Sequence, residues 1–331
     1  MLSTEMNVIV CNGFGSPEVL QLSRRALPLL GPDEVLIKVA AAGINRADLL
    51  QRRGKYPPPS GACDILGMEV SGTITALGMS ACRWKIGDKV CALLAGGGYA
   101  EYAAVSQDHC LLIPKNISLQ EAAALPEAIV TVYANLIESG HLKKDETALI
   151  HGGSSGIGTT AIQMAKAMGV FVITTAGGEE KVNACKALGA DCALNYKEED
   201  FVKTGLAVTK GRGVDVVLDM IGGSYINRNL QVLGLRGRHI SIATQSGTMA
   251  EIDVSLIMQK QLTLTGSTLR GRSKAEKSRL MAEIEAKIWP FIAAGKIKPV
   301  IYQTFPLKNA PDAHKVMESG THIGKMVLEV S

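Results

Sequence analysis

No stretch of this chain approaches the roughly 18 uninterrupted apolar residues that a membrane-spanning helix needs, which excludes an integral helical membrane protein. No charged segment followed by an apolar core opens it in the manner of a signal peptide, so the expected location is cytoplasmic. Cysteines at 11, 63, 82, 91, 110, 185 and 192 are scattered and odd in number, without a CxxCxxC cluster. That pattern argues against a disulfide framework and suits buried thiols in a reducing compartment. A strong charge imbalance is also missing, the net charge being +4. The one basic knot, Arg270-Gly271-Arg272-Ser273-Lys274, has no aromatic or second basic run beside it. It reads as a solvated loop, and no nucleic-acid partner is expected. Repeats and low-complexity linkers are absent too.

What is present is an ordinary globular composition, 47% hydrophobic and 20% charged, over 331 residues, a length that points to two domains. The first third consists of short alternating segments broken by Gly and Pro ("EVLIKVAAAGIN", "VSGTITALG", "GDKVCALL", "GGYAEYAAV"), a β-rich pattern. Ser118 and Glu121 then form a capping-type pair ahead of alanine-rich helices. From Glu146 onward, six apolar strand patterns alternate with helical ones, which predicts a doubly wound parallel sheet. A long amphipathic helix, "SKAEKSRLMAEIEAKIWPFIAAGKI", is expected to close that unit, and the β-like tail to rejoin the first domain. The fold class is α/β, with residues 1–126 plus 298–331 in the β-rich domain and 127–297 in the nucleotide-binding domain.

The turn "IHGGSSGIG" joins the first of these strands to a helix and admits four readings. Gly153-x-x-x-x-Gly158 has P-loop spacing, but Thr159 stands where the phosphate-binding lysine is required. Gly152-x-Ser154-x-Gly156 fits a nucleophile elbow, with Asp219 and His239 or His314 following in order, yet it sits behind some 150 residues of β-domain. A short-chain dehydrogenase needs Tyr-x-x-x-Lys, and none of the seven tyrosines has lysine four residues later. A dinucleotide turn remains, with Gly153, Gly156 and Gly158 as a glycine fingerprint beneath a helix N-terminus. The second strand ends "TTAGG" without the acidic residue that reads an NAD ribose. Ala176, Gly177 and Gly178 leave room for a 2′-phosphate, and Lys181 offers it a cation, so the expected cofactor is NADPH provided Glu179 and Glu180 point to solvent.

"GDKV" at 87–90, "GGYAEY" at 97–102, "AAALP" at 122–126 and "GKMVLEV" at 324–330 make the whole chain resemble the medium-chain dehydrogenase/reductase superfamily. The resemblance implies a GroES-like N-terminal domain beside a Rossmann domain. Where zinc members carry a ligand cysteine and histidine this chain has Asn45 and Met68, and His109-Cys110 is its one adjacent His/Cys pair. No metal is expected. The run "NRADLLQRRGKYPPP" resembles the quinone oxidoreductase branch through Asn45, Asp48, Arg52, Gly54 and Tyr56. "GGSSGIG", Lys181, Tyr196, "IGGSY" and "STLRGR" match that branch too, most nearly its tumour-suppressor-inducible type. The resemblance implies cofactor contacts from Asn45, Tyr56, Thr131, Ser155, Gly156, Ile157, Gly177, Gly178, Lys181, Tyr196, Ile221 and Leu269. Asn45 and Tyr56 are the implied catalytic pair. His322 departs from the asparagine common in relatives.

The implied activity is metal-free hydride transfer from NADPH to a quinone, a small-molecule partner. Two alternatives stand beside it: reduction of an enone or enoyl-thioester C=C bond, with Tyr56 as acid, and a low-turnover NADPH-binding structural or regulatory protein. The apolar final strand, around Leu262 to Leu269, predicts a homodimer or dimer of dimers through the sheet edge.

Overall fold

The computed structural model describes residues 4–330, which form two compact units. Among the described residues, one comprises 4–130, 270–295 and 299–330, the other 131–269 and 296–298. Among the described residues no helix is long and apolar enough to cross a membrane.

The first unit is built on a seven-stranded, mainly antiparallel sheet. Alternation along Glu34–Gly43 sends Val35, Ile37 and Val39 into the core. This strand pairs with Glu69–Leu77, Tyr102–Ser106 and Lys325–Glu329. The chain's tail thus rejoins the β-rich part, as its β character suggested. Ser118 caps Leu119–Ala122, and its backbone N–H and hydroxyl meet the Glu121 carboxylate at 2.8 and 2.7 Å, the capping box read from the sequence.

The second unit holds a six-stranded parallel sheet ordered Cys192–Asn195, Phe171–Ala176, Thr147–Ile150, Val214–Asp219, Leu233–Ser241, Thr263–Gly266. Counted along the chain, this is the doubly wound order 3-2-1-4-5-6, with helices such as Gly156–Ala167 and Glu179–Ala187 between strands. The inner strands are buried along their length, as a sheet covered on both faces requires.

Two details differ from the sequence reading. The amphipathic segment expected to close the nucleotide-binding unit belongs instead to the β-rich one, split into Lys274–Lys287 and Trp289–Ala293. Trp289 Nε1 donates to Leu112 O at 2.8 Å, and Arg83 pairs with Glu285 at 2.6 Å. Pro290, lacking an N–H, lies in the first turn of the second piece, where no intrahelical partner is required. Amphipathic spacing shows that one face is covered, not by what. The basic knot is solvated at Gly271, Ser273 and Lys274, as expected of a loop, but its first residue, Arg270, is buried.

Candidate functional site

In the parallel-sheet unit the glycine turn is shaped by contact. The Gly153 N–H donates to Thr175 O at 2.9 Å, tying the turn to the second strand. A Cβ on Gly153 would strike Thr174 Oγ1 and lie 2.9 Å from Cys185 Sγ. Ser155 is the N-cap of helix Gly156–Ala167, its Oγ accepting the Gly158 N–H at 3.0 Å. The N–H groups of Gly156 and Ile157 at the helix start have no intrahelical partner, which is what an anion-binding helix end offers.

Four strand ends bring the remaining sequence-predicted residues of this unit to one sheet edge: Gly177, Gly178 and Lys181 after the second strand, Tyr196 after the third, Ile221 after the fourth and Leu269 after the sixth. Gly178 takes φ +105° and donates its N–H to Asn195 Oδ1 at 3.1 Å. The Tyr196 hydroxyl would lie 2.9 Å from a Cβ on Gly177. Lys181 is half-buried, and desolvation pulls its pKa below the usual lysine range, with Glu180 opposing. Glu179 and Glu180 are exposed, as the NADPH reading requires of them. These residues fit a phosphorylated dinucleotide: a cradle too tight for side chains, free helix-end N–H groups and a cation one turn beyond a glycine pair. Thr131 lies in the last turn of helix Pro126–Val132, and its carbonyl accepts Asn135 Nδ2 at 2.8 Å as the helix passes into a π-helical segment, Tyr133–Ser139.

Sequence reasoning missed the buried network beneath this edge. His151 Nε2 donates to Asn229 Oδ1 at 2.8 Å, so Nδ1 is left to accept the Thr175 hydroxyl at 2.9 Å. Asn229 donates to Asp219 Oδ2, which also meets His239 Nε2 at 3.2 Å. Asp219 Oδ1 takes the Ile221 N–H at 2.7 Å, bracing the turn that presents Ile221. Burial raises the Asp219 pKa, but the His239 hydrogen bond and the His151 field outweigh it and hold the carboxyl below its usual range. Asp219 and His239, the elbow's would-be triad partners, are thus occupied in structural bonding, and His314 belongs to the other unit.

In the β-rich unit, Asn45 and Tyr56 lie at either end of the helix-bearing segment around Arg46–Arg52. Asn45 Nδ2 donates to Glu69 Oε1 at 2.9 Å, and its Oδ1 accepts from Lys325 Nζ at 2.6 Å. Lys325 also reaches Glu69 Oε1 at 2.5 Å and Ile44 O at 3.1 Å. A fixed ammonium therefore stands beside Asn45, whose side chain keeps one uncommitted N–H. Met68 is packed in the core. His109 sits in a short 3₁₀ turn, not on a strand with Cys110, and its Nε2 meets Lys274 O at 3.1 Å. No group of three His, Cys, Asp or Glu side chains capable of holding a metal converges among the described residues.

Of the other motif residues, Asp48 and Arg52 are engaged in bonds within the fold. Asp48 accepts the N–H groups of Asn45 and Gly67 at 2.8 and 3.0 Å, yet burial pushes its pKa up to about 6. Arg52 is fully buried and bonds Gly15 O, His314 Nδ1 and Glu318. Burial, with the Arg52 and Arg53 charges, drives the His314 pKa down to about 3. Tyr56 is half-buried, and desolvation together with Glu127 raises its pKa against Arg270, so the phenol remains a donor. His322 packs edge-on against Tyr302.

Glu127 is raised to about 8 by burial first and by the Glu69 charge second. The unfolded chain ionises this group near 4.5, so its contribution to stability is present below that pH and lost as pH rises to about 8. Glu127→Gln removes the titration. The Tm difference in favour of the variant is expected to widen between pH 5 and 8 and then level off, by less than ~1.4 kcal/mol per pH unit because the side chain is only half-buried. Melting curves across that range check it, and a pH-independent difference would contradict it.

A GroES-like β-unit joined to a 3-2-1-4-5-6 parallel sheet with a glycine turn after its first strand is the architecture of the medium-chain dehydrogenase/reductase superfamily. The alcohol dehydrogenase GroES-like domain family matches residues 31–115 and the zinc-binding dehydrogenase family residues 156–286. The chain is 33% identical to the quinone oxidoreductase of Pongo abelii over 318 residues, 95% of each protein. Escherichia coli quinone oxidoreductase, solved in complex with NADPH, is 32% identical with a TM-score of 0.87, covering 98% of this chain and 99% of that one. The CurK enoyl reductase is 25% identical with a TM-score of 0.88, covering 99% and 100%. The chain belongs to the quinone oxidoreductase family of that superfamily.

Proposed function

We propose that the chain is an NADPH-dependent quinone reductase that works without a metal. The observation that carries the reading is the sheet edge where the Gly153–Gly158 turn, the Gly177-Gly178 pair and Lys181 gather, in a chain whose relatives of similar length are quinone oxidoreductases. NADPH, when bound, supplies the hydride. Ser155, Gly156 and Ile157 hold its pyrophosphate by backbone N–H groups, Lys181 and Tyr196 its 2′-phosphate, and Thr131, Ile221 and Leu269 its nicotinamide half. Asn45, fixed through Lys325 and Glu69, and Tyr56 offer hydrogen bonds to the nicotinamide ribose or to the acceptor oxygen. A reduced quinone leaves as a phenolate that water protonates, so the chain's task is placement.

Turnover of NADPH against NADH on quinones and short enones tests the proposal, read beside two variants. Lys181→Ala should lower kcat/KM for NADPH by about tenfold and leave NADH nearly unchanged, since only one charge-assisted contact is removed. Tyr56→Phe should cost a quinone reductase less than about threefold. A loss well over tenfold, with enones the better substrates, would favour C=C reduction, where a proton must reach carbon. The CurK likeness is what keeps that second reading in view.

Among the described residues the edge strand Thr263–Gly266 bonds a neighbour on one side only, and exposed Val254, Met258 and Leu264 accompany it. Pairing of two such edges about a two-fold axis makes a homodimer. Light scattering should give twice the 35.0 kDa of one chain, and a monomeric mass would refute the pairing.

A further inference from the structure

The β-rich unit contains a cavity of about 630 Å³ whose walls include Arg270 and Lys277. Both are nearly inaccessible, at 4% and 6% exposure. Arg270 donates from Nε to Ala95 O at 2.7 Å and from Nη1 to Tyr56 O at a long 3.5 Å, while Nη2 has no hydrogen-bond partner. Its guanidinium carbon lies 5.7 Å from the Tyr56 ring centroid. Lys277 Nζ donates to Arg270 O at 2.6 Å. Neither cation has a carboxylate at hydrogen-bond distance among the described residues, whereas on the same wall Lys274 pairs with Asp33 and Arg272 with Glu276.

A buried charge without a counter-ion is costly and is kept only where something compensates it. Among the described residues Glu34 is the one carboxylate lining the cavity, and it takes the Gly31 N–H at 2.8 Å. Asp48 and Glu127 act on Arg270, and Glu127 on Lys277, from beyond hydrogen-bond distance, and burial raises the pKa of both carboxyls. Desolvation pulls His109, also on the wall, toward its neutral form. The cavity thus carries two positive charges to which no carboxylate is hydrogen-bonded among the described residues, above apolar walls such as Ile65, Leu93 and Leu94. Its size lies in the range of small-molecule pockets.

We propose that this cavity takes the anionic end of the acceptor, an aromatic or quinonoid molecule carrying a carboxylate or ionised hydroxyl whose oxygens meet Arg270 and Lys277. Calling that molecule the acceptor rests on the quinone reductase reading, since Tyr56 stands beside the same guanidinium. The site itself does not depend on that reading.

Calorimetry on the full chain with naphthoate and its neutral isostere naphthamide tests the site, because neither is reducible here. Naphthoate should bind at least about tenfold tighter at low salt, and added salt should narrow the gap. Lys277→Met and Arg270→Met should each remove most of that preference while naphthamide affinity stays within about twofold, which also reports that the cavity is intact. Equal affinity for the two ligands in the wild type, or a preference that survives both substitutions, overturns the proposal. Turnover of hydroxynaphthoquinone against its neutral parent separates the two claims. Quinone reduction with no anion preference sinks the site and leaves the reductase. Naphthoate binding as expected with no quinone reduced sinks the reductase and leaves the site.

Discussion

Lys325→Met is expected to destabilise the protein by about 3–5 kcal/mol, the cost of removing one partner from a buried ion pair. All three N–H groups of the ammonium are engaged, with Glu69, Asn45 and the Ile44 carbonyl. Glu69 is fully buried and also accepts the Glu127 N–H at 2.9 Å, so it cannot turn to water when the ammonium goes. Asp48 and Glu127 lose a charge that lowers their pKa values, and both carboxyls should move further up. At roughly 2–4 °C per kcal/mol for a chain of this order of size, the melting point should fall by about 10 °C. Adding Glu69→Gln to Lys325→Met removes the stranded charge and should recover part of the loss, which a double-mutant cycle would register. A drop below about 1 kcal/mol for Lys325→Met alone would show that the pair is not the keystone described here.

Gly158→Ala should weaken NADPH binding by about 100-fold or more, equivalent to ~3 kcal/mol. An ideal Cβ at Gly158 would lie 2.6 Å from both the Cα and the carbonyl carbon of Gly153, with Gly152 O closer still. These are backbone atoms of the turn itself, so no side chain can swing away. The helix Gly156–Ala167 would have to withdraw from the turn, carrying off the N–H groups proposed to face the pyrophosphate. Fluorescence titration with NADPH measures the effect, and a dissociation constant within about threefold of wild type would refute the role given to this turn.

Features that depend on residues adjacent in the chain could be read without coordinates. The alternation of apolar strands and helices from Glu146 onward, the Ser118/Glu121 capping box and the glycine turn are all local patterns, and the structure shows each of them. The pattern Asn45-x-x-Asp48-x-x-x-Arg52 was legible as a resemblance only. What each member does became visible once folding brought Gly67, His314 and Glu318 to it. His151 and Asn229 carry no sequence signal of their own, and His239 suggested a different role, because a buried polar network is defined by who meets whom.

By itself, the amino-acid sequence determined the α/β class, the order of strands and helices along the chain, and the place of the dinucleotide turn, because hydrophobic period, capping and backbone freedom act over a few residues. Only the tertiary structure decided that Lys325 lies against Glu69 at a sequence separation of 256, that the helix Lys274–Lys287 covers the β-rich unit, and that Arg270 is buried rather than solvated. An amphipathic face or a charged side chain specifies that it needs a partner, and which partner it finds is set by packing among distant segments.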